Sequence, residues 1–481
     1  MTRLWPTVNR TLTWFHRWAG VVLCIVFALW FVSGAVLHFV GFPSLSIADR
    51  LASAEAIDFT RLTVEPVAAL THAPDAQELR LVSVEGRPTY LASAATAVTA
   101  IAGDTGEVLP PRSAESVRRI AEQFGRAQVL HEDGPFDYDQ WTVHQQFDRY
   151  RPFYRVRLGD DEHTELHVSA RTGEVLQRTR GKQRAWNWCG AILHWIYFTP
   201  VRKSWPLWNQ LVWWVSLVAL VTSVVGTWLG IVRMLATRAA GRSMWSPFRG
   251  WMRWHHLIGL FASVVVLTWI FSGWLSMDHG RLFSRGGVTP EQTDRMRGLS
   301  LAQLAQSATL ARLRSAEPAT EITLNAVAGR GFLTLGGGHA TRLLWLDTGQ
   351  LTEAPLSQEL LLAGARAVWP QAVALTQATG TDASYRMAES VSADAMAVRV
   401  TDASSDRAYI DRESGRLLVV MDSSRRAYAW VYYCLHTLNF PGLIAHPMLR
   451  TTLIVALMAF GLIFSITGVV LGVRRTKLQF R

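Results

Sequence analysis

The sequence WFHRWAGVVLCIVFALWFVSGAVLHFV, residues 14–40, is apolar enough to sit in a lipid bilayer, although a histidine stands near each end of it, at His16 and His38. About 20 such residues are needed to cross the hydrocarbon core of a membrane. Burying imidazole beside hydrocarbon is costly, so ionisable groups in such a segment usually have a function. The stretch therefore predicts a membrane helix, and its histidines are the first candidates for a functional site.

Four segments of the chain share this length and low charge, and they predict spans at 17–40, 209–232, 254–277 and 450–473. The composition agrees, since 49% of the residues are hydrophobic and only 18% are charged, against about 25% charged in soluble domains. The 21 Trp residues fit aromatic belts at the membrane surfaces. The first apolar run is too long for a signal-peptide h-region and no small-x-small site follows it, so we expect a retained helix.

The basic residues lie beside the apolar segments and do not form one tract, so the net charge of +11 favours contact with anionic lipid over nucleic acid. The positive-inside rule places three clusters in the cytoplasm, and with them both chain termini. The long segments 41–205 and 278–448 are then outside. The three clusters are Arg3, Arg10 and Arg17 before the first span, Arg233, Arg238, Arg242, Arg249 and Arg253 in the 233–253 loop, and Arg474, Arg475, Lys477 and Arg481 after the last span.

The two long segments have the patterns of α+β domains. Alternating runs such as RPFYRVRL and TELHVSA predict strands, and ESVRRIAEQFG and SQELLLAGARAVW predict amphipathic helices. Asp, Ser or Thr followed by Gly marks a turn between two strands. Four such turns are predicted, at 103–109, 170–176, 346–351 and 411–417.

These turns and the spans recur at a nearly constant spacing. Gly106 and Gly349 are 243 residues apart, Gly34 of WFVSG and Gly273 of WIFSG are 239 apart, and LHWIYF (193–198) precedes LHTLNF (435–440) by 242. The spacing predicts a tandem duplication in which both halves run helix, outer segment, helix. Because the halves have the same orientation, we expect a parallel repeat with a pseudo-twofold axis along the membrane normal.

Only two positions hold histidine in both halves: His16 matches His255, and His194 matches His436. Hydrogen bonding at the membrane surface would explain any one of them, but four at two matched levels favour metal ligation. A zinc site would need Cys, Asp or Glu close by, and the spans contain no HxxxH, HExxH or carboxylate pair. Two imidazoles across an apolar bundle suit haem iron, and the lack of CxxCH favours b-type haem. The pairs predict one inner and one outer haem.

The first span presents His16, Gly20, Phe27 and Gly34 on one helix face, where glycine leaves room for another helix or a flat cofactor. His38 shares this face, but its match in the other half is Met277, which makes it a weaker candidate ligand.

Several other side chains leave alternatives open. His256 adjoins His255, and either could be the inner ligand. Cys189 and Cys434 are expected to pack against apolar neighbours, with a disulfide as the alternative. The basic residues around His194 would contact lipid headgroups, or haem propionates and anionic substrate; they are Arg184, Arg202 and Lys203, with Lys182. The histidines expected to be solvated are His131, His144, His163 and His167.

Eight short motifs occur as an ordered, duplicated set over nearly the whole chain: FHRWAG (15–20), WFVSG (30–34), DTGEVL (104–109), RTGEVL (171–176), LHWIYF (193–198), RWHHLIGL (253–260), WIFSG (269–273) and LHTLNFPGL (435–443). On these motifs the sequence resembles the PepSY-associated transmembrane family, also described as iron-regulated membrane proteins. The resemblance implies a bacterial inner-membrane protein with four helices and periplasmic PepSY-type α+β domains. It also implies a di-haem reductase of ferric siderophores, with ligands at His16, His194, His255 and His436 and with His256 alongside.

The residues and the resemblance together predict an α-helical membrane protein with four transmembrane helices in a tandem parallel repeat and two periplasmic α+β domains. The predicted domains are 1–40 (N-terminus and first helix), 41–185 (first PepSY-type domain), 186–232 (interfacial and second helix), 233–253 (cytoplasmic loop), 254–277 (third helix), 278–427 (second PepSY-type domain), 428–473 (interfacial and fourth helix) and 474–481 (cytoplasmic tail).

The function predicted from these features is electron transfer to a periplasmic acceptor, with a ferric siderophore as the leading acceptor. No GxGxxG follows a strand and no flavin fingerprint is present, so quinol or a cytoplasmic reductase is the expected donor. Two alternatives belong to other classes. A membrane-anchored PepSY module that binds peptides or regulates a protease would not need the histidine pairs. A siderophore or metal transporter would need broken spans or polar groups at the midplane, where the chain has only Ser, Thr and Cys24.

Overall fold

The computed structural model describes residues 4–241, 245–283, 287–337, 340–372, 374–377, 397–401 and 407–479. These residues form two compact units. The helical unit comprises the described residues within Met1–Phe42, Ala185–Arg285 and Ser424–Arg481, and the strand unit comprises those within Pro43–Arg184 and Gly286–Ser423. Three of the basic residues used to orient the chain lie outside the described residues: Arg3, Arg242 and Arg481.

Among the described residues, four helices are long and apolar enough to cross a membrane, which confirms the four predicted spans. With helices numbered in chain order, they are α1 (Leu4–Phe39), α8 (Trp205–Ala239), α9 (Gly250–Ser276) and α17 (Pro447–Gln479). Each continues past its predicted apolar core, because the flanking aromatic and basic residues suit the membrane surface and need not break the helix. The chain is therefore a multi-pass membrane protein.

The spanning helices pack through glycines. A Cβ on Gly468 or Gly472 of α17 would lie 3.4 Å from Cys24 of α1, and the ring of Phe31, farther along α1, packs directly on Gly461. The order of these contacts shows that α1 and α17 are antiparallel. Small residues let membrane helices approach closely where no water drives their association.

The bundle has two ends, and we call them the terminal end and the opposite end. The terminal end carries the described chain ends, Leu4 and Gln479, and the connection between α8 and α9. The opposite end carries Phe39 and Ser276, the last residues of α1 and α9, and short helices precede α8 and α17 there. These are α5 (Gly181–Cys189), α6 (Ala191–His194), α7 (Thr199–Arg202), α14 (Ser423–Ala429), a π-helical turn (Trp430–Cys434), α15 (Leu435–Thr437) and α16 (Pro441–Ile444).

The strand unit contains a seven-stranded antiparallel sheet in the order β11-β10-β9-β8-β1-β2-β3. Leu81 of β1 pairs with Ile322 of β8, so the two outer segments contribute to one sheet. The strands are β1 (Glu78–Val84), β2 (Arg87–Ser93), β3 (Val98–Ala102), β8 (Glu321–Val327), β9 (Arg330–Gly336), β10 (Arg342–Trp345) and β11 (Leu351–Glu353).

Two four-stranded antiparallel sheets complete the strand unit, and the predicted α+β content is confirmed. One is formed by β4 (Val129–Phe136), β5 (Phe153–Leu158), β6 (Glu165–Ser169) and β7 (Val175–Thr179) and follows α4 (Ala114–Gly125); the other is formed by β12 (Ala374–Gln377), β13 (Ala397–Thr401), β14 (Arg407–Asp411) and β15 (Leu417–Met421) and follows α13 (Gln358–Val368). The shorter helices are α2 (Ile47–Ala52), α3 (Pro66–Leu70), a 3₁₀ helix (Gln145–Tyr150), α10 (Pro290–Arg297), α11 (Leu301–Ser307) and α12 (Leu310–Arg314).

Each of the four predicted Gly turns follows a strand of this unit, namely β3, β6, β10 or β14. Their φ values are +80° at Gly106, +77° at Gly173, +72° at Gly349 and +71° at Gly415. Residues with a Cβ rarely adopt this left-handed conformation. The repeated turn motif is thus explained by the backbone.

A buried charge cluster joins β1 to β8. The Arg80 guanidinium donates to both carboxylate oxygens of Glu174 (2.9 and 3.0 Å) and to Glu321 (2.9 Å). Arg50 donates two further hydrogen bonds to Glu321, of 2.6 and 3.1 Å. Burial opposes the charged form of Arg80, but Glu174 and Glu321 outweigh it and raise its pKa well above the usual value. The two arginines and two carboxylates balance each other's charge.

His167 corrects one expectation, because its side chain is fully buried and not solvated. Its Nε2 lies 2.8 Å from Oδ1 of Asp139, and Arg155 donates to the other Asp139 oxygen at 3.1 Å. The alternating pattern of β6 indicated one exposed face. In the structure, the segment that contains Asp139 and the buried Trp141 covers that face.

This network predicts an acid-sensitive contribution to stability. Burial would raise the pKa of Asp139, but hydrogen bonds and charge from His167, Trp141 N–H and Arg155 outweigh it and lower the pKa to about 2. A depressed carboxyl pKa stabilises the fold above the unfolded value of about 3.9, by about 2.5 kcal/mol here, and this stabilisation is lost as the pH falls toward 2. Asp139→Asn should therefore lower the opening free energy of β5 and β6, measured by hydrogen exchange in the full chain, by about that amount at pH 6.

At pH 2.5 the same substitution should have a much smaller effect. The exposed Asp75 provides the matched control, and Asp75→Asn should change neither measurement. An equal effect of Asp139→Asn at both pH values would contradict the pKa assignment.

Candidate functional site

The first histidine pair lies inside the bundle near its terminal end. The ring centres of His16 on α1 and His255 on α9 are 6.5 Å apart. Nδ1 of His16 lies 3.1 Å from the carbonyl oxygen of Thr222, and Nδ1 of His255 lies 2.9 Å from Oγ1 of Thr467. The Thr467 hydroxyl donates its own hydrogen to the carbonyl oxygen of Phe464 (2.6 Å). Both Nδ1 atoms are therefore donors.

The second pair lies toward the opposite end. The ring centres of His194 on α6 and His436 on α15 are 6.1 Å apart. Nδ1 of His194 donates to Oγ of Ser33 (3.2 Å), whose hydroxyl donates to the carbonyl oxygen three residues earlier. Nδ1 of His436 donates to the carbonyl oxygen of Trp269 (3.2 Å) and to Oγ of Ser272 (3.1 Å).

These hydrogen bonds fix the same tautomer on all four rings. With the proton on Nδ1, the lone pair is on Nε2. Among the described residues, no hydrogen bond reaches any of the four Nε2 atoms. Metal-binding histidines typically donate their other ring N–H to a carbonyl or hydroxyl, which orients the ring for ligation. The sequence motifs included Ser33 and Ser272, but only the structure shows what they do.

Glycines make room for each imidazole. A Cβ at Gly34 would lie 3.1 Å from Cε1 of His194, and a Cβ at Gly273 would lie 3.2 Å from Cε1 of His436. At the first pair, Gly226 packs on the His16 ring in the same way, with 2.9 Å from its ideal Cβ to Nδ1. A larger side chain at any of these positions would displace a histidine.

A cavity of about 590 Å³ opens beside the first pair. Cofactor and ligand pockets commonly enclose about 300 to 1,000 Å³. His16, His255 and His256 line it, together with apolar side chains such as Phe27 and Val266. Six glycines also line it: Gly20, Gly226, Gly230, Gly259, Gly468 and Gly472.

The donor set fits a haem better than a bare metal ion. No group of three or more His, Cys, Asp or Glu side chains that could hold a metal occurs among the described residues. A metal held by one of these pairs would have two protein ligands, and a porphyrin would supply four more. Two rings bound through Nε2 to one metal have centres about 6 Å apart, given a metal–nitrogen bond of about 2.0 Å. Both pairs have this spacing.

The alternative ligands have other partners. Nε2–H of His256 donates to the carbonyl oxygen of Gly230 (2.9 Å), and its buried Nδ1 has no partner among the described residues. Nε2 of His38 lies 3.1 Å from Oγ1 of Thr451. It is therefore His255, not His256, that faces His16 across the bundle.

The predicted basic contacts lie in different surroundings. The Arg202 guanidinium is buried and lies over the rings of Tyr197, Trp205 and Trp208, 4.7 to 5.0 Å from their centres. Lys203 is exposed. In the strand unit, Arg184 donates to the carbonyl oxygens of Thr179 (3.1 Å) and His163 (2.8 Å). The three cysteines, Cys24, Cys189 and Cys434, are free thiols.

The chain matches the model of one protein family, the PepSY-associated TM region, over residues 13–331. The match contains His16, His194 and His255 and ends before His436. A search of curated proteins found no match, and a search of solved structures also found none. Since the matched residues make up more than half of the chain, the protein belongs to the family of the PepSY-associated TM region.

Proposed function

We propose that this protein is a membrane electron carrier that binds two b-type haems, one between His16 and His255 and one between His194 and His436. The observation that supports this most strongly is the geometry of the two pairs. Their ring centres are 6.5 and 6.1 Å apart, and each Nδ1 donates to a carbonyl or hydroxyl oxygen. Each of the four imidazoles thus keeps an Nε2 lone pair that no hydrogen bond from the described residues uses.

A haem iron held by two imidazoles can alternate between ferric and ferrous states, which supplies one-electron transfer. The protein contributes the position of each site. Ser33, which holds His194, lies 17 residues beyond His16 on α1, or about 25 Å along the helix. Two sites at that separation, close to the thickness of the hydrocarbon core, form a route for electrons across a bilayer.

The matched contacts support a duplicated architecture. Ser33 and Ser272 are 239 residues apart, as are Gly34 and Gly273. Ser33 and Gly34 contact His194 of the first half, and Ser272 and Gly273 contact His436 of the second half. We propose that the repeat is a tandem duplication with one ligand of each haem from each half. The two outer segments would then be the two PepSY-type domains.

We further propose that the terminal end faces the cytoplasm and that the strand unit is periplasmic, in the inner membrane of a bacterium. The arginines at the terminal end support this orientation through the positive-inside rule. Quinol or a cytoplasmic reductase would be the donor, since the sequence has no dinucleotide-binding motif. A ferric siderophore is the acceptor that we propose for the outer pair.

A reoxidation experiment tests this function. Purified protein is reduced with a stoichiometric reductant under anaerobic conditions and mixed with a ferric siderophore, while a chelator traps ferrous iron. We expect reoxidation of the haem spectrum and an equivalent amount of trapped ferrous iron. His194→Ala should slow this at least tenfold, because it removes a ligand of the pair nearest the acceptor.

The control is the exposed His446 at the same end of the bundle, since His446→Ala removes a histidine that contacts neither pair. A reduced wild-type spectrum that persists in the presence of the siderophore would eliminate this acceptor. Equal rates in His194→Ala and wild type would contradict the role of the outer pair.

A further inference from the structure

Four arginines line the cavity beside His16 and His255, and we call them the arginine rim. They are Arg17 on α1, Arg233 on α8, and Arg474 and Arg475 on α17. In the sequence, the positive charge of these residues indicates only which side of the membrane they face. Their position around a single cavity is a separate observation, because three different helices direct a guanidinium to the same space.

The rim has no counter-charge of its own within the part of the chain that the structure describes. No carboxylate there forms an ion pair with any of the four arginines. The guanidinium of Arg474 lies 6.0 Å from the ring centre of Trp251. Nε of Arg475 is buried and has no hydrogen-bond partner among the described residues. A cavity bordered by unpaired guanidinium groups is suited to an anion.

The rim side chains lean toward the histidines. Gly226 packs on His16, and Arg233 follows it by seven residues on α8, or about 10 Å along the helix. On α17, Arg475 follows Gly468, beside His255, by the same interval. Both helices run toward the terminal end, and helical side chains tilt toward the N-terminus of their helix. This tilt brings Arg233 and Arg475 toward the level of the histidines, and both line the cavity, with Arg233 exposed and Arg475 half-buried.

We infer that the arginine rim binds the two carboxylates of the porphyrin held by His16 and His255. This inference rests on the proposed function and extends it to the orientation of the inner haem. The arginines would hold the carboxylate edge at the terminal end, and residues such as Cys24, Phe27 and Val266, deeper in the bundle, would contact the apolar edge. Planar guanidinium groups match carboxylates through paired hydrogen bonds.

A lipid headgroup is the competing anion for arginines at the end of a bundle. Lipid-binding arginines would extend outward to the membrane surface. The rim residues instead line the space that the two histidines share, and the Nε of Arg475 is buried. The structure favours a ligand inside the cavity.

Reconstitution with two forms of haem tests the inference. Apoprotein carrying His194→Ala, which leaves only the inner site, is titrated with haem or with haem dimethyl ester, whose carboxylates cannot bind guanidinium. We expect Arg233→Gln and Arg475→Gln each to weaken haem binding at least about tenfold, the value of one charge-assisted hydrogen bond. The ester should bind equally to all the variants. The reduction potential of bound haem should fall in Arg233→Gln and in Arg475→Gln, because the carboxylates lose a positive partner.

Arg253→Gln is the matched control, since Arg253 is exposed at the same end but does not line the cavity. It should change neither affinity nor potential. Equal loss of haem and ester would indicate a structural defect and overturn the inference. Unchanged haem affinity together with weaker binding of anionic vesicles would assign the rim to lipid and also overturn it. If the apoprotein with His16 and His255 intact takes up neither form, the proposed function itself fails.

Discussion

His194→Ala is expected to reduce the haem content of the purified protein from two per chain to one. The substitution removes one of the two imidazoles of the outer pair, and His436 alone provides a single axial ligand. The inner pair should keep its haem, because His16 and His255 are held by Thr222 and Thr467 at the other level of the bundle. Pyridine haemochrome assay against protein concentration measures the ratio.

Two further variants should give a partial loss of haem and no loss of haem. Ser33→Ala leaves His194 in place but removes its hydrogen-bond acceptor, and outer-shell losses of this kind typically weaken metal binding about 10- to 100-fold. It should therefore release the outer haem at dilution without abolishing uptake. His446→Ala should retain both haems. Full haem content in His194→Ala would show that the outer pair is not a ligand pair.

Arg80→Met is expected to destabilise the strand unit by about 3 to 5 kcal/mol, the usual cost of removing one partner from a buried ion pair. Glu174 and Glu321 would be left with one cation, Arg50, between two buried carboxylates. β1 and β8 should open together, since Arg80 lies on β1 and Glu321 on β8. Hydrogen exchange of these strands in the full-length protein measures the opening free energy.

Charge balance provides the controls. Adding Glu174→Gln to Arg80→Met restores one cation and one anion, so the double variant should be more stable than Arg80→Met alone. Arg119, whose side chain is 56% exposed in its ion pairs, is a surface comparison, and Arg119→Met should cost less than about 1 kcal/mol. If Arg80→Met costs no more than Arg119→Met, the cluster does not stabilise the junction.

The spanning helices and the histidine pairs could be predicted because their signals are local or repeated. Twenty apolar residues have few other structures available to them. His16 and His255 were singled out by their shared spacing, and the structure places their rings 6.5 Å apart. His255 and His256 could not be separated by sequence alone, because the choice depends on which face of α9 meets α17 and which meets α8.

Features that depend on distant parts of the chain could not be predicted. Leu81 and Ile322 pair in one sheet although 241 residues separate them, and neither outer segment contains a signal for that contact. His167 stands in a strand that alternates, but its burial depends on a covering segment around Asp139. Ser33 and Ser272 lie within the repeated WFVSG and WIFSG motifs, yet their acceptor role requires knowing where another helix places its histidine.

The reduced-minus-oxidised absorption spectrum of the purified wild-type protein, with haem counted per chain, tests directly whether each histidine pair binds one haem. Expression with ample haem supply ensures that the sites can fill. We predict a b-type spectrum and two haems per chain. Absence of haem would contradict the claim and would leave the PepSY-type domains as a binding module anchored in the membrane.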